Sequence, residues 1–211
     1  GGVLLPHCRD TTVLDPLKFN PNKIKEKMGF KNKKVVMFLG TPRPHKGVDD
    51  LLTAFKIIDN PDLNLAIIGA DNHQEFLERI DRSIRHRVVV LPKMSFVKLP
   101  ELLSAADIIA IPQRRTSDSV GQIPARLFDA MSMGKPIIAT RVSDIPEVLD
   151  GCGYLVDPNQ PAQLAEAIEY ILNHLDEARA KGQTARERCQ RMYDISNLEF
   201  GLSKLMEKVL A

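Results

Sequence analysis

Two segments of the sequence combine residue types that bind phosphate. In residues 40–47 (GTPRPHKG), Arg43 and Lys46 lie three residues apart, directly before a stretch with helical periodicity. Two cations and the free amides of a helix N-terminus can converge on one anion. The spacing matches neither G-x-x-x-x-G-K-[ST] nor G-x-G-x-x-G, which argues against an ordinary nucleoside triphosphatase or dinucleotide site. The alternative is a solvated basic loop in which Gly40 and Gly47 are only turn residues.

The second segment, residues 113–124, leads into a predicted helix that Pro124 opens. Arg126 and Asp129 are three residues apart and therefore share one face of that helix. Arg126 is a candidate for binding a phosphate. Asp129 is a candidate for accepting hydrogen bonds from the paired hydroxyls of a ribose. The alternative is a surface ion pair between these two side chains.

A few isolated polar residues are weaker candidates. His7 and His45 have the chemistry of general bases, although single histidines are more often structural. Asp118 is either a ligand for a sugar hydroxyl or a turn residue, and Glu147 complements the positive end of a short helix. The sequence contains no Gly-x-Ser-x-Gly elbow and no carboxylate pair at a credible hydrolase spacing, so hydrolase chemistry is not indicated.

Composition narrows the class of protein. The chain has 211 residues, 44% of them hydrophobic and 27% charged, which predicts a folded domain. Its 29 Lys and Arg residues nearly balance 27 Asp and Glu residues, so we expect no nucleic-acid partner. Cys8, Cys152 and Cys189 are too far apart for a disulfide framework or a cysteine zinc site. No apolar run approaches the ~20 residues of a membrane span, and we expect a soluble, cytoplasmic domain.

The periodicity predicts an α/β fold with a parallel sheet. Short apolar runs, typical of strands buried on both faces, alternate with helical segments. The predicted strands are residues 35–39, 65–69, 88–91, 108–111, 136–140 and 154–156. The predicted helices follow Gly47 and Pro124 and span residues 73–85, 99–106, 145–149, 161–175, 176–192 and 196–210. Ligands of such sheets bind beyond the carboxyl ends of the strands, where the sequence places loops 40–47, 69–73 and 114–124.

The ordered set of motifs resembles a known family. The motifs are LPHCRDT at residues 5–11, FLG to KG at 38–47, LPELLSAAD at 99–107, FDAMSMGKPIIAT at 128–140, IPEVL at 145–149 and GYLV at 153–156. Together they resemble the C-terminal, donor-binding half of a GT-B glycosyltransferase of the retaining family 4, also called group 1. The resemblance implies a Rossmann-like sheet with helices on both faces. It also implies transfer of a hexosyl group from a nucleotide-diphosphate sugar, with retained configuration and no obligatory metal or other cofactor.

The resemblance assigns roles to particular residues. A Lys in the position of Lys46 and an Arg a few residues earlier contact the donor diphosphate, so Lys46 and Arg43 are the implied catalytic residues. The family's Arg usually follows the glycine directly, where this chain has Thr41. The full implied donor site comprises Gly40, Thr41, Arg43, Lys46, Asp118, Gly121, Gln122, Ile123, Pro124, Arg126 and Asp129.

Two carboxylates, seven residues apart, mark the family's donor site. Asp129 occupies the second position, which contacts the ribose, whereas the first falls on Gly121. The pattern is similar to a subset that reads Pro-x-Lys/Arg-x-x-Glu, here Pro124, Arg126 and Asp129. Contacts to the sugar are then expected from the amides of Gly121 and Gln122 or from Asp118.

The resemblance also implies a domain organisation. Residues 1–33 would be an interdomain linker, residues 34–194 the nucleotide-sugar-binding domain, and residues 195–211 a helix that crosses to an N-terminal domain. That domain, which binds the acceptor, would lie outside this chain, so the isolated domain would be inactive and membrane association would come only through the missing half. The alternatives are a non-catalytic nucleotide- or sugar-phosphate-binding module, which Thr41 and Gly121 favour, and a sugar-nucleotide epimerase relative.

Overall fold

The sheet determines where every other element lies. The computed structural model describes residues 7–210, except the side chains of residues 199–201, 204 and 207–210. Within that range the strands are β1 (Lys34–Leu39), β2 (Leu63–Ile68), β3 (Val88–Leu91), β4 (Ile108–Ile111), β5 (Ile137–Thr140) and β6 (Tyr154–Val156). They form one parallel sheet in the order β3-β2-β1-β4-β5-β6. The strand order reverses between β1 and β4, as in Rossmann-like folds.

Helices cover both faces of this sheet. They are α1 (Pro21–Lys27), α2 (Val48–Ile57), α3 (His73–Arg79), α4 (Arg82–Arg85), α5 (Leu99–Ser104), α6 (Ala125–Ser132), α7 (Ile145–Val148), α8 (Pro161–Asn173), α9 (Leu175–Met192) and α10 (Ile195–Leu210). Alternate residues of β1 enter opposite cores: Met37 packs beneath α5 and α6, and Phe38 packs beneath α2 and α8. Because both faces are covered, the strands need continuous apolar runs rather than alternation.

The predicted strands agree with the structure to within two residues at each end. The single helix predicted for residues 73–85 is wrong, because the structure has two helices there, α3 and α4. The backbone of Ile80 is extended at the end of α3, and the side chain of Asp81 caps α4 by accepting a hydrogen bond from the Ser83 amide. A capping aspartate in mid-segment therefore outweighs the helical periodicity.

The segment predicted as a linker contains ordered structure that the sequence analysis missed. Residues 1–6 lie outside the described residues, but Pro16–Lys18 form a 3-10 turn and α1 follows. Asn20 caps α1 through its side chain, and Pro21 occupies the first turn. Leu14, Ile24 and Phe30 are buried in the same core as α6. Residues 14–30 therefore pack on the sheet domain.

The N-terminal segment also meets the start of the last helix. The amide of Arg9 donates to the Tyr193 carbonyl at 2.7 Å, and the Ile195 amide donates to the Arg9 carbonyl at 2.9 Å. The Thr11 hydroxyl donates to Asp194 at 2.6 Å. The direction in which α10 continues toward another domain stays a prediction, and Ala211 lies outside the described residues. Among the described helices, none is long and apolar enough to span a membrane.

A glycine sets the packing distance between α9 and the C-terminal end of α6. A Cβ atom on Gly182 would overlap the Gly134 carbonyl oxygen. Replacing Gly by Ala in an exposed helix ordinarily raises the free energy of unfolding by about 1 kcal/mol. We expect Gly182→Ala to destabilise the domain instead, by about 1–3 kcal/mol, because overpacking dominates. Urea denaturation measures this free energy, and a stabilised variant would contradict the packing argument.

The ammonium group of Lys135 lies at the C-terminal end of α5, where its Nζ donates to the carbonyls of Ser104 (2.7 Å) and Ala106 (2.9 Å). Burial lowers the pKa of Lys135 from 10.5 to about 8. The unfolded chain therefore binds more protons between these two values, so raising the pH stabilises the fold.

We expect the stability of the wild type relative to Lys135→Met to rise between pH 8 and 10.5. The slope should reach at most about 1.4 kcal/mol per pH unit. Urea denaturation of both proteins across this pH range measures the difference, and the comparison cancels the titration of all other groups. A difference that does not change with pH would show that Lys135 is not desolvated.

Candidate functional site

The loops after β1 and β4 meet where the strand order reverses. Between them lies a cavity of about 240 Å³, here called the switch-point cavity. Open parallel sheets bind their ligands at this position. The cavity is lined by His7, Phe38, Leu39, Gly40, Thr41, Lys46, Ala110, Ile111, Gln113, Gln122, Ile123, Pro124, Ala125 and Arg126.

A close backbone contact holds the two loops together. Gly47, at the start of α2, has a left-handed conformation with φ of 69°. A Cβ atom at this position would overlap the carbonyl oxygen of Pro112, the first residue after β4. Glycine is therefore required both by the conformation and by the approach of the β4 loop. Lys46, directly before it, ends a 3-10 turn that orients its side chain into the cavity.

A buried glutamine organises the loop that follows β4. Gln113 is 1% exposed, and its amide nitrogen donates to the carbonyls of Ser119 (3.3 Å) and Gln122 (3.2 Å). Its side-chain oxygen lies 3.5 Å from Nζ of Lys46. The buried hydroxyl of Ser119 donates to the Arg114 carbonyl at 2.5 Å and accepts from the Thr116 amide at 2.8 Å. These hydrogen bonds define the shape of the loop.

The β4 loop is also bound to the opposite loop and to α2. The guanidinium of Arg114 makes a two-point ion pair with Asp50 at 2.8 and 2.6 Å, and its backbone amide donates to the His45 carbonyl at 2.9 Å. Bidentate pairs of this kind restrict geometry as well as adding energy. No role was predicted from the sequence for Gln113, Arg114 or Ser119. The available signal was the polar residue that follows Pro112 at the end of a buried strand.

Lys46 is a half-buried cation. Burial lowers its pKa below the ordinary 10.5, and the nearby positive charge of Arg43 lowers it further. The ammonium group is thus poorly solvated, and an anion bound in the cavity would compensate its charge.

Asp129 is buried between two arginines. Its side chain is 0% exposed, and one carboxylate oxygen accepts from Nε of Arg9 while the other accepts from Nη1 of Arg126 at 2.7 Å. Nη2 of Arg9 donates to the Ala125 carbonyl at 3.0 Å, at the first residue of α6. The pair of Arg126 and Asp129 therefore differs from a surface ion pair, because its carboxylate is buried and is shared with Arg9. Arg9 was not predicted, because it lies 120 residues from Asp129.

The structure brings part of the predicted site together. Gly40, Thr41, Lys46, Gln122, Ile123, Pro124 and Arg126 line the switch-point cavity. Asp129 is not among the lining residues, and Arg43 is exposed outside the cavity. Asp118 is 75% exposed, and its carboxylate is 3.9 Å from Nδ1 of His45. Gly121 and Glu147 line an open groove beside α7 and α9, which adjoins the switch-point cavity and shares His7, Gln122 and Ile123 with it.

A second cavity, of about 120 Å³, adjoins the first, and we call it the neighbouring cavity. Leu39, Gly40, Thr41 and Arg126 line both cavities, and Gly69, Lys93 and Ser95 are among the further residues of the second. Across the part of the chain that the structure describes, no three His, Cys, Asp or Glu side chains cluster as metal ligands.

Comparison with protein families agrees with this architecture. Residues 20–188 match the family model described as glycosyl transferases group 1. The chain belongs to this family. The matched region begins just before α1 and includes all six described strands, so it contains both loops of the switch-point cavity.

One curated relative is a GDP-mannose-dependent alpha-(1-6)-phosphatidylinositol monomannoside mannosyltransferase of Mycolicibacterium smegmatis. It is 30% identical over 190 residues, which cover 86% of this chain and 50% of the relative. The chain thus spans about half the length of the curated relatives it matches.

Solved structures share the fold. An Anabaena protein in complex with UDP-glucose superimposes with a TM-score of 0.81 at 19% identity, covering 95% of this chain and 56% of that one. The C-terminal domain of a group 1 family glycosyl transferase from Francisella tularensis has a TM-score of 0.73 at 20% identity, covering 89% and 99% respectively. The predicted Rossmann-like half of a GT-B fold is confirmed.

The contact between the two loops can be tested with two glycine variants. Gly47 and Gly121 both have positive φ, of 69° and 80°, but a Cβ on Gly121 meets nothing within 4 Å. We expect Gly121→Ala to cost about 1–2 kcal/mol for the backbone conformation alone. Gly47→Ala should cost about 1–3 kcal/mol more because of overlap with Pro112. Equal losses in urea denaturation would show that the loops do not meet closely.

Proposed function

We propose that this chain binds the nucleotide-diphosphate sugar of a retaining glycosyltransferase, which passes a hexosyl group to an acceptor held by a further domain. The observation that carries the proposal is the half-buried ammonium group of Lys46 in the switch-point cavity. The partial burial of this ammonium group and its position in the cavity both fit an anionic ligand, because a desolvated cation gains most from a charged partner.

The reaction generates negative charge at this position. The bond between the anomeric carbon and the diphosphate oxygen breaks, the acceptor oxygen bonds to the same carbon, and the acceptor's proton passes to the departing phosphate. The departing nucleoside diphosphate takes the bonding electron pair. A fixed ammonium group such as that of Lys46 stabilises this developing charge without reorganisation. We therefore propose that donor binding and departure proceed without an obligatory metal.

The relatives support a sugar-nucleotide ligand. One carries GDP-mannose in its name, and one solved structure holds UDP-glucose. Since the chain covers about half of each, we propose that the remaining half binds the acceptor and that this chain alone catalyses little. We also propose a cytoplasmic location, as expected from the sequence.

Isothermal titration of the chain with UDP, GDP and ADP tests the proposal. We expect one of them to bind equally well in magnesium and in EDTA. Lys46→Gln should weaken that binding by about 10-fold or more, because one charge-assisted hydrogen bond is lost.

Arg179→Gln, on the exposed surface of α9, is the matched control and should bind as the wild type does. Binding that is unchanged in Lys46→Gln, or that requires magnesium, would contradict the assignment. The absence of any binding at millimolar nucleotide would contradict donor binding by this chain.

A further inference from the structure

We propose that Arg126 is the second phosphate-binding cation of this site, and that Asp129 is a positioning residue that holds Arg126 in place rather than a ligand for the ribose. The inference rests on the proposed donor-binding function and assigns the groups that recognise the diphosphate. Arg9, from the N-terminal segment, completes the arrangement.

The surroundings of Asp129 argue against direct contact with a ligand. The carboxylate is 0% exposed, and each oxygen already accepts from a guanidinium group. Each oxygen has a further acceptor site, but the carboxylate has no exposed surface, so ribose hydroxyls could reach it only if one of the arginines moved away. A buried carboxylate that loses a charged partner is strongly destabilised. The structure therefore assigns to Asp129 the role of binding Arg9 and Arg126 rather than a ligand.

Arg126 is suitably placed to bind phosphate. Its side chain is 39% exposed, and its contact with Asp129 engages Nη1. A guanidinium group has five donor hydrogens in a planar fork, so a single pair with Asp129 leaves donors for a phosphate. Arg126 lines the switch-point cavity together with Lys46 and also lines the neighbouring cavity. It thus lies at the junction of the two.

The charges of the cluster add up to an anion site. Arg9 and Arg126 together carry two positive charges, and Asp129 carries one negative charge. One positive charge therefore remains for a ligand, and Lys46 adds another on the facing loop. Thr41 lines the cavity but carries no charge, and Arg43 is exposed outside the lining. Arg126 thus supplies the second cation that the loop after β1 does not.

Ligands that differ only in the number of phosphates distinguish a positioning role of Asp129 from direct binding of the ribose. If Arg126 binds phosphate, replacing it should weaken the binding of UDP and leave the binding of uridine unchanged. If Asp129 binds the ribose, replacing it should weaken the binding of uridine and of UDP by the same factor. The experiment titrates the full chain with uridine, UMP and UDP, and with guanosine, GMP and GDP, using calorimetry and ligand-observed NMR for weak binding.

We expect Arg126→Gln to weaken diphosphate binding at least 10-fold and nucleoside binding less than 2-fold, and to reduce the salt dependence of diphosphate binding. Arg126→Lys should bind the diphosphate better than Arg126→Gln does, since lysine keeps the positive charge but lacks the planar set of guanidinium donors. Asp129→Asn should show the same selective loss for the diphosphate as Arg126→Gln. Arg179→Gln remains the control.

Asp129→Asn is the more destabilising substitution, because Asp129 is buried between two arginines. Arg126→Gln and Arg126→Lys carry the test if that variant does not fold. Equal losses for uridine and UDP in Asp129→Asn would overturn the positioning role. Unchanged diphosphate binding in Arg126→Gln, with binding still dependent on Lys46, would overturn this inference alone. If the wild type binds none of the six ligands, the proposed function fails as well.

Discussion

The close approach of the loops after β1 and β4 is the constraint on which the rest of the site depends. Gly47 leaves room for the Pro112 carbonyl, and this contact sets the position of Lys46 opposite Gln113. The pair between Arg114 and Asp50 then holds the β4 loop against α2. A side chain at residue 47 would separate the loops, and the cavity between them would lose its shape.

Buried and half-buried charges give that cavity its chemistry. Lys46 is desolvated on one loop, and Arg126 is held by Asp129 at the start of α6. Charges fixed in this way require little reorganisation when an anion arrives or departs, which is the condition for electrostatic stabilisation of a leaving group. The geometry therefore fits the anionic ligand that the proposed function requires.

The N-terminal segment is part of the domain rather than an appendage. Leu14, Ile24 and Phe30 are buried in its core, and Arg9 closes the carboxylate cluster from outside the sheet. The same residue pairs with the backbone around Asp194 at the start of α10. Arg9 thus joins the start of α10 to the carboxylate of Asp129.

The sequence by itself determined the parallel α/β fold, its six strands and the two loops of the site, because burial on both faces and glycine or proline at strand ends are local patterns. Tertiary structure decided which side chains enter the cavity. Arg43 and Lys46 are three residues apart, yet the 3-10 turn leaves one exposed and directs the other inward. Arg9 meets Asp129 across 120 residues, and such a contact leaves no periodic signal in the sequence.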